Sequence, residues 1–133
     1  MRLSPASFAG VLQTATDLTI TLQEDRPGVL VGALEAIARA GINLDGMAQF
    51  DGILHLLTRD PAGATRALRA ARFRVGAERQ VLVVGLEDRP GAGALVLRRL
   101  ADAGHNVDYC YLATETRLVI AGTDPKQMAR VLE

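Results

Sequence analysis

An internal repeat constrains this chain more than any other feature. Glu24-Asp25-Arg26-Pro27-Gly28 returns as Glu87-Asp88-Arg89-Pro90-Gly91, an offset of 87 − 24 = 63. At the same offset Ala40-Gly41-Ile42-Asn43-Leu44-Asp45 returns as Ala103-Gly104-His105-Asn106-Val107-Asp108. Eleven of the 22 positions from Glu24 to Asp45 are identical to their partners, where chance gives about one or two at ordinary residue frequencies. Asp60-Pro61 matches Asp124-Pro125 at an offset of 124 − 60 = 64, so one residue has entered between them, most simply in a hairpin turn. A unit of this length is too long for most solenoids. Alone it lies near the lower limit for a stable core. Two halves that pack together and fold as one unit are therefore expected.

Within the first copy, Leu18-Thr19-Ile20-Thr21-Leu22 alternates apolar and polar β-branched residues, as a half-buried strand does. Asp25-Arg26-Pro27-Gly28 breaks it. Asp25 reads as a helix N-cap and Pro27 as a first-turn residue, where its missing N–H is not needed. Leu30, Leu34, Ile37 and Ala38 then fall on one helical face, and Gly41 closes the helix. Ile42 to Phe50 reads as a second strand, Asp51-Gly52 as a hairpin turn, and Ile53 to Thr58 as a third strand. Asp60 caps a second helix with Pro61 at its first position, and Phe73-Arg74-Val75 begins a fourth strand. The second copy follows the same order, with strands at Val81 to Leu86, Asn106 to Ala113 and Arg117 to Ala121, but it stops at Glu133 without a fourth strand.

The expected fold is thus α+β: a ferredoxin-like βαββαβ unit in two tandem copies, each an antiparallel sheet with both helices on one face. The boundaries are residues 1–77, including an N-terminal extension 1–16, and residues 78–133. Within the extension, Phe8 to Leu12 is a candidate strand, and it is a source for the fourth strand that the second copy lacks.

Composition narrows the function. Fifteen basic residues balance fifteen acidic ones, so the electrostatic footprint that nucleic-acid binding relies on is absent. There is no basic run for anionic lipid and no apolar run of about 18 residues to span a membrane. A poor signal-peptide pattern at the N-terminus points to the cytoplasm. With no Trp, two Tyr and three Phe, the core must be aliphatic. The single cysteine, Cys110, excludes an internal disulfide and a cysteine cage for zinc or iron–sulfur, and with two histidines besides, no metal or other cofactor is expected. Cys110, between Tyr109 and Tyr111, reads as a core or interface residue. His55 reads as facing solvent from its strand, and His105 as a loop neighbour of Asn106.

Strand, then Asp-Arg-Pro-Gly opening a helix, then Ala-Gly-x-Asn opening a strand, resembles the ACT domain, an amino-acid-binding regulatory module. The resemblance covers nearly the whole chain, twice. It implies a tandem ACT-domain protein with ligand held where two such domains meet, the first strand–helix loop of one facing the second-strand start of the other. Physical chemistry gives an independent reason for a site at that loop. A Pro-Gly turn at a helix start leaves main-chain N–H groups at the positive end of the helix dipole, which favours a carboxylate. Gly28 and Gly91 permit close approach. Asn43 and Asn106 both donate and accept, and Asp25 or Asp88 offers a partner for an ammonium group.

The candidate ligand-binding residues are Asp25, Arg26, Pro27, Gly28, Val29, Leu30 and Asn43 in the first copy. In the second they are Asp88, Arg89, Pro90, Gly91, Ala92, Gly93 and Asn106. Because Leu30 is replaced by Gly93, the roomier pocket is expected near Gly91, Gly93 and Asn106; close helix packing at Gly93 is the other reading. Simple capping by the aspartates, solvation of the arginines and junction-holding by the asparagines stand beside the ligand roles.

The expected function is a non-catalytic amino-acid sensor, forming a homodimer through open sheet edges and acting on a separate enzyme or through assembly. A purely structural dimerisation or protein-interaction module is the alternative. An acylphosphatase-like enzyme would use Arg26 and Asn43, but Asp25 would repel phosphate. An RNA-recognition domain needs aromatics on its third strand, and Ile53 to Leu57 has none. There is no nucleophile–base pair.

Overall fold

A computed structural model describes residues 12–133. Ten elements follow in order: β1 (Leu12–Thr21), α1 (Val29–Arg39), β2 (Gly46–Phe50), β3 (Ile53–Leu57), α2 (Pro61–Ala70), β4 (Arg74–Gly85), α3 (Ala92–Asp102), β5 (Val107–Ala113), β6 (Arg117–Gly122) and α4 (Pro125–Leu132). Of the candidate strand at Phe8 to Leu12, all but Leu12 lies outside the described residues.

The strands form a closed antiparallel barrel in the order β1-β3-β2-β5-β6-β4. This corrects the expectation of two tandem ferredoxin-like copies, each with a sheet of its own. The physical reason lies in two long strands. The segments read as the last strand of one copy and the first of the next are one unbroken strand, the 12-residue β4. No proline interrupts it, and its glycine at position 76 is not among those with positive φ. β1 likewise starts at Leu12 and runs for 10 residues. Both are about twice the usual strand length.

The chain divides into two compact units, Thr16–Arg79, and Gln80–Glu133 with the segment up to Ala15. In Thr16–Arg79, β1 pairs with β3 and β3 with β2, both antiparallel. Leu18, Ile20, Leu54 and Leu56 point from this sheet towards Ala33 and Ile37 of α1, Ala64 and Leu68 of α2, and Val75. In the other unit β4 pairs with β6 and β6 with β5. Leu82, Val84, Leu118 and Ile120 pack on Val96 and Leu100 of α3 and Met128 and Leu132 of α4, with Leu12 against the same cluster. The run Val81–Val84 is buried residue by residue on both faces, as strands covered on two sides are.

Local chemistry explains the element ends. Asp51 and Gly52 have φ 53° and 79°, the left-handed pair of a type I′ hairpin turn, between Phe50 and Ile53 in register. The second copy places Thr114-Glu115-Thr116 between Ala113 and Arg117, so the extra residue of the repeat sits in the hairpin. α2 and α4 are capped by aspartates: Gly63 donates to Asp60 at 3.0 Å, and Lys126 and Gln127 donate to Asp124 at 3.1 and 3.2 Å. α1 ends in a Schellman motif, in which the N–H of Gly41 donates to Ala38 and that of Ile42 to Ile37, and α3 repeats it at Gly104 and His105.

Two further readings are corrected. His55 does not face open solvent. Its Nδ1 lies 3.0 Å from Oδ2 of the fully buried Asp17 and 3.4 Å from the Thr19 hydroxyl. Cys110 is exposed rather than part of a core, since Tyr111, one position on, takes the buried face of β5.

Candidate functional site

The Pro-Gly corners are built the same way in both copies. The Arg26 carbonyl accepts from the Val29 N–H at 3.4 Å, and Gly28 sits at φ 96°, ψ −17°. With Pro27 before it, this is a type II turn, whose third position demands positive φ. Arg89 and Ala92 repeat the bond at 3.4 Å, with Gly91 at φ 86°, ψ −9°. Each turn delivers its glycine as the helix N-cap, and neither α1 nor α3 has a side-chain cap. Asp25 therefore does not cap α1, contrary to the sequence reading. The caps on α2 and α4 make the contrast plain: two of the helices begin on aspartate, and two begin on bare main chain.

A cleft of about 250 Å³ opens beside the first corner, lined by Thr21, Gln23, Glu24, Arg26, Gly28, Val29, Ala71, Arg72, Phe73 and Arg74. Antiparallel topology explains this gathering. The end of β1, the start of α1, the end of α2 and the start of β4 lie at one end of the unit. Gly32, one turn into α1, leaves room for Phe73, whose Cζ lies 3.5 Å from where a Cβ would stand. Within the cleft Arg26 is paired with Glu24. Arg89 pairs with Glu87 at 2.8 Å, which gives the repeated Glu-x-Arg spacing a structural reason.

Asn43 lies past the far end of α1, an 11-residue helix about 16 Å long. It lines a different depression with Ala40, Gly41, Ile42, Asp45, Arg59 and Asp60. Its amide donates to Asp45 at 3.0 Å, as that of Asn106 does to Asp108 at 3.1 Å. Each asparagine thus holds its helix–strand junction, and Gly28 and Asn43 of one copy do not share a cavity.

At the second corner Pro90 and Gly91 border an open groove of about 740 Å³ along α3 with Ala94, Leu95, Leu97, Arg98 and Ala101. Gly93 is not in it. The Leu86 side chain lies 3.8 Å from where a Gly93 Cβ would stand. Ala92 is buried in the core, Leu30 packs on the core of its own unit, and Asp25 and Asp88 are exposed. Sequence reasoning missed Arg72, Phe73 and Arg74. The only signal was topological, since the α2–β4 turn must return beside the end of β1. Among the described residues no three of His, Cys, Asp or Glu stand close enough to hold a metal, and no helix is long and apolar enough to cross a membrane.

No protein-family model and no curated protein matches the chain. Solved structures do. The regulatory subunit of aspartate kinase from Thermus flavus superposes with a TM-score of 0.66 at 15% identity, over 92% of this chain and 93% of that one. Escherichia coli aspartokinase III in complex with aspartate and ADP gives 0.63 at 20% identity, over 98% of this chain but 33% of that one. The fold is therefore shared with that aspartate kinase regulatory subunit. A protein of Bacteroides thetaiotaomicron is nearer in sequence: 30% identity and a TM-score of 0.80 over 91% of this chain and 88% of that one. The chain belongs to the same family as that Bacteroides protein.

Proposed function

We propose that this chain is a non-catalytic regulatory protein that binds a small molecule, by preference an amino acid, at the Pro-Gly corner of the first copy. The observation that carries the reading is the junction of an uncapped helix start with a cleft. At Gly28 the first turn of α1 presents main-chain amides that no side chain occupies, and an open volume adjoins them. A carboxylate there meets oriented N–H groups and the positive end of the helix dipole. The shared fold with a regulatory subunit of aspartate kinase supports a regulatory role. The signal would pass to a separate protein.

The test is a thermal-shift screen of the full chain against the twenty amino acids. A ligand present at 100 times its Kd adds about 2.7 kcal/mol of stability. A hit that Gly28→Ala weakens, and Gly91→Ala does not, places the ligand at the first corner. No shift with any amino acid removes the amino-acid reading. Equal loss in both variants removes the placement.

A further inference from the structure

The cleft at the first corner carries more positive charge than one carboxylate needs. Arg26, Arg72 and Arg74 line it together with a single acidic side chain, Glu24. Glu24 is bound by Arg26. Neither guanidinium of Arg72 nor of Arg74 makes a hydrogen bond or ion pair with a described residue. Arg72 and Arg74, both exposed at the rim of the cleft, thus stand on one short turn without a counter-charge among the described residues. Arg72 stands there against local preference. It has φ 67°, at the position after the end of α2 that Gly41 and Gly104 fill after α1 and α3. The hydrogen bonds are the same Schellman pair, Arg72 to Arg69 and Phe73 to Leu68. The volume of about 250 Å³ is below the range of about 300–1,000 Å³ for drug-sized ligands, so the occupant is the size of a small metabolite.

We infer that the ligand of this corner is a small dianion, one acidic group resting on the first turn of α1 and the second held by Arg72 and Arg74. The inference rests on the corner reading above and adds the ligand's chemical class. A planar guanidinium matches a carboxylate or phosphate through paired N–H donors. Two such groups beside a helix start neutralise two negative charges, where a neutral amino acid would leave both arginines unmatched. An acidic amino acid and a dicarboxylic acid without an amino group share this chemistry.

Calorimetry on the full chain at low ionic strength separates them. The probes are aspartate, glutamate and succinate, with asparagine and alanine as neutral-side-chain comparisons and inorganic phosphate as a single anionic centre. At least one dianion is expected to bind about tenfold or more tightly than asparagine, with the margin falling as salt is added. The tightest of the three names the source. The double variant Arg72→Gln/Arg74→Gln is expected to lose that margin, about tenfold or more for each charge-assisted contact removed. Arg98→Gln/Arg130→Gln, outside the cleft, keeps it. If asparagine binds as tightly as every dianion, or if the cleft double variant keeps the preference, the dianion inference falls while the corner reading stands. If no amino acid, diacid or phosphate binds, both fall.

Discussion

Replacing Arg72 with glycine should make the protein more stable and a worse binder at once. The three Schellman endings form an internal experiment, since Gly41 and Gly104 hold the left-handed position at φ 74° and 84°, and Arg72 holds it at 67°. An L-residue there costs about 1–2 kcal/mol. Glycine relieves that cost but loosens the unfolded chain, which returns about 0.5–1 kcal/mol. The net expectation for Arg72→Gly is a gain of about 0.5–1 kcal/mol, read as a melting-temperature rise of about 2–3 °C and a higher urea midpoint at unchanged slope. Arg72→Ala keeps the strain and should leave stability unchanged. Gly41→Ala introduces the same strain, and its new Cβ meets nothing within 4 Å, so its loss of about 1 kcal/mol is conformational alone. An Arg72→Gly protein no more stable than Arg72→Ala would refute the backbone argument, and with it the view that arginine is held there at a cost. Strain of this kind gathers at functional positions, where stability and activity trade against one another.

Other substitutions probe the fold. Gly122→Ala drives a Cβ to 2.6 Å from the buried Met128 sulfur and 3.0 Å from the Asn106 carbonyl; a loss of about 1–3 kcal/mol by urea unfolding is expected, and near-neutrality would show that α4 is not seated on β6. Thr65→Val removes the one buried side-chain oxygen among the described residues that lacks a hydrogen-bond partner; calorimetry should show up to about 1 kcal/mol of added stability, and a loss would mean the hydroxyl is satisfied after all. His55→Leu takes the 3.0 Å partner from the Asp17 carboxylate, which is fully buried; destabilisation of about 1–3 kcal/mol is expected, with a smaller effect in Asp17→Asn/His55→Leu, and equal losses would show that the pair is not coupled.

The parts of this molecule that the sequence made legible are those decided by neighbours in the chain. The Asp51-Gly52 turn, the Asp60 and Asp124 caps and the glycine endings each follow from a preference acting within a few residues. The hairpin insertion was readable because a repeat offset moves only where a residue enters. Barrel closure was not readable. Whether Phe73–Val75 and Val81–Leu86 are two strands or one depends on the intervening Gly76-Ala77-Glu78-Arg79-Gln80, which carries no breaking signal and no strong strand pattern. Polar contacts over long separations were hidden for a like reason. Asp17 and His55 are 38 residues apart, and alternation alone gives the two faces of β3 without saying that both are covered. Arg72 and Arg74 reach the cleft only through the antiparallel path of the chain.

Divergence between the copies explains why the proposed site falls in the first and not, as the glycine at position 93 suggested, in the second. Three paired positions differ: Gln23 and Leu86 in polarity, and Leu30 with Gly93 and Gly32 with Leu95 in size. In the second copy Leu86 is buried and lies 3.8 Å from where a Gly93 Cβ would stand, and Gly93 does not line the groove at its corner. In the first copy Leu30 packs on the core, exposed Gln23 stays at the cleft wall, and Gly32 seats Phe73 instead. That seat brings the α2–β4 turn, with Arg72 and Arg74 on either side of Phe73, against the start of α1. Each glycine thus lies beside a neighbour from the adjoining turn, but only the first copy's neighbour is flanked by charge. The groove at the second corner is the outer face of α3, mostly apolar with Arg98 as its one charge, a surface with little to hold an anionic head group beyond the helix start itself.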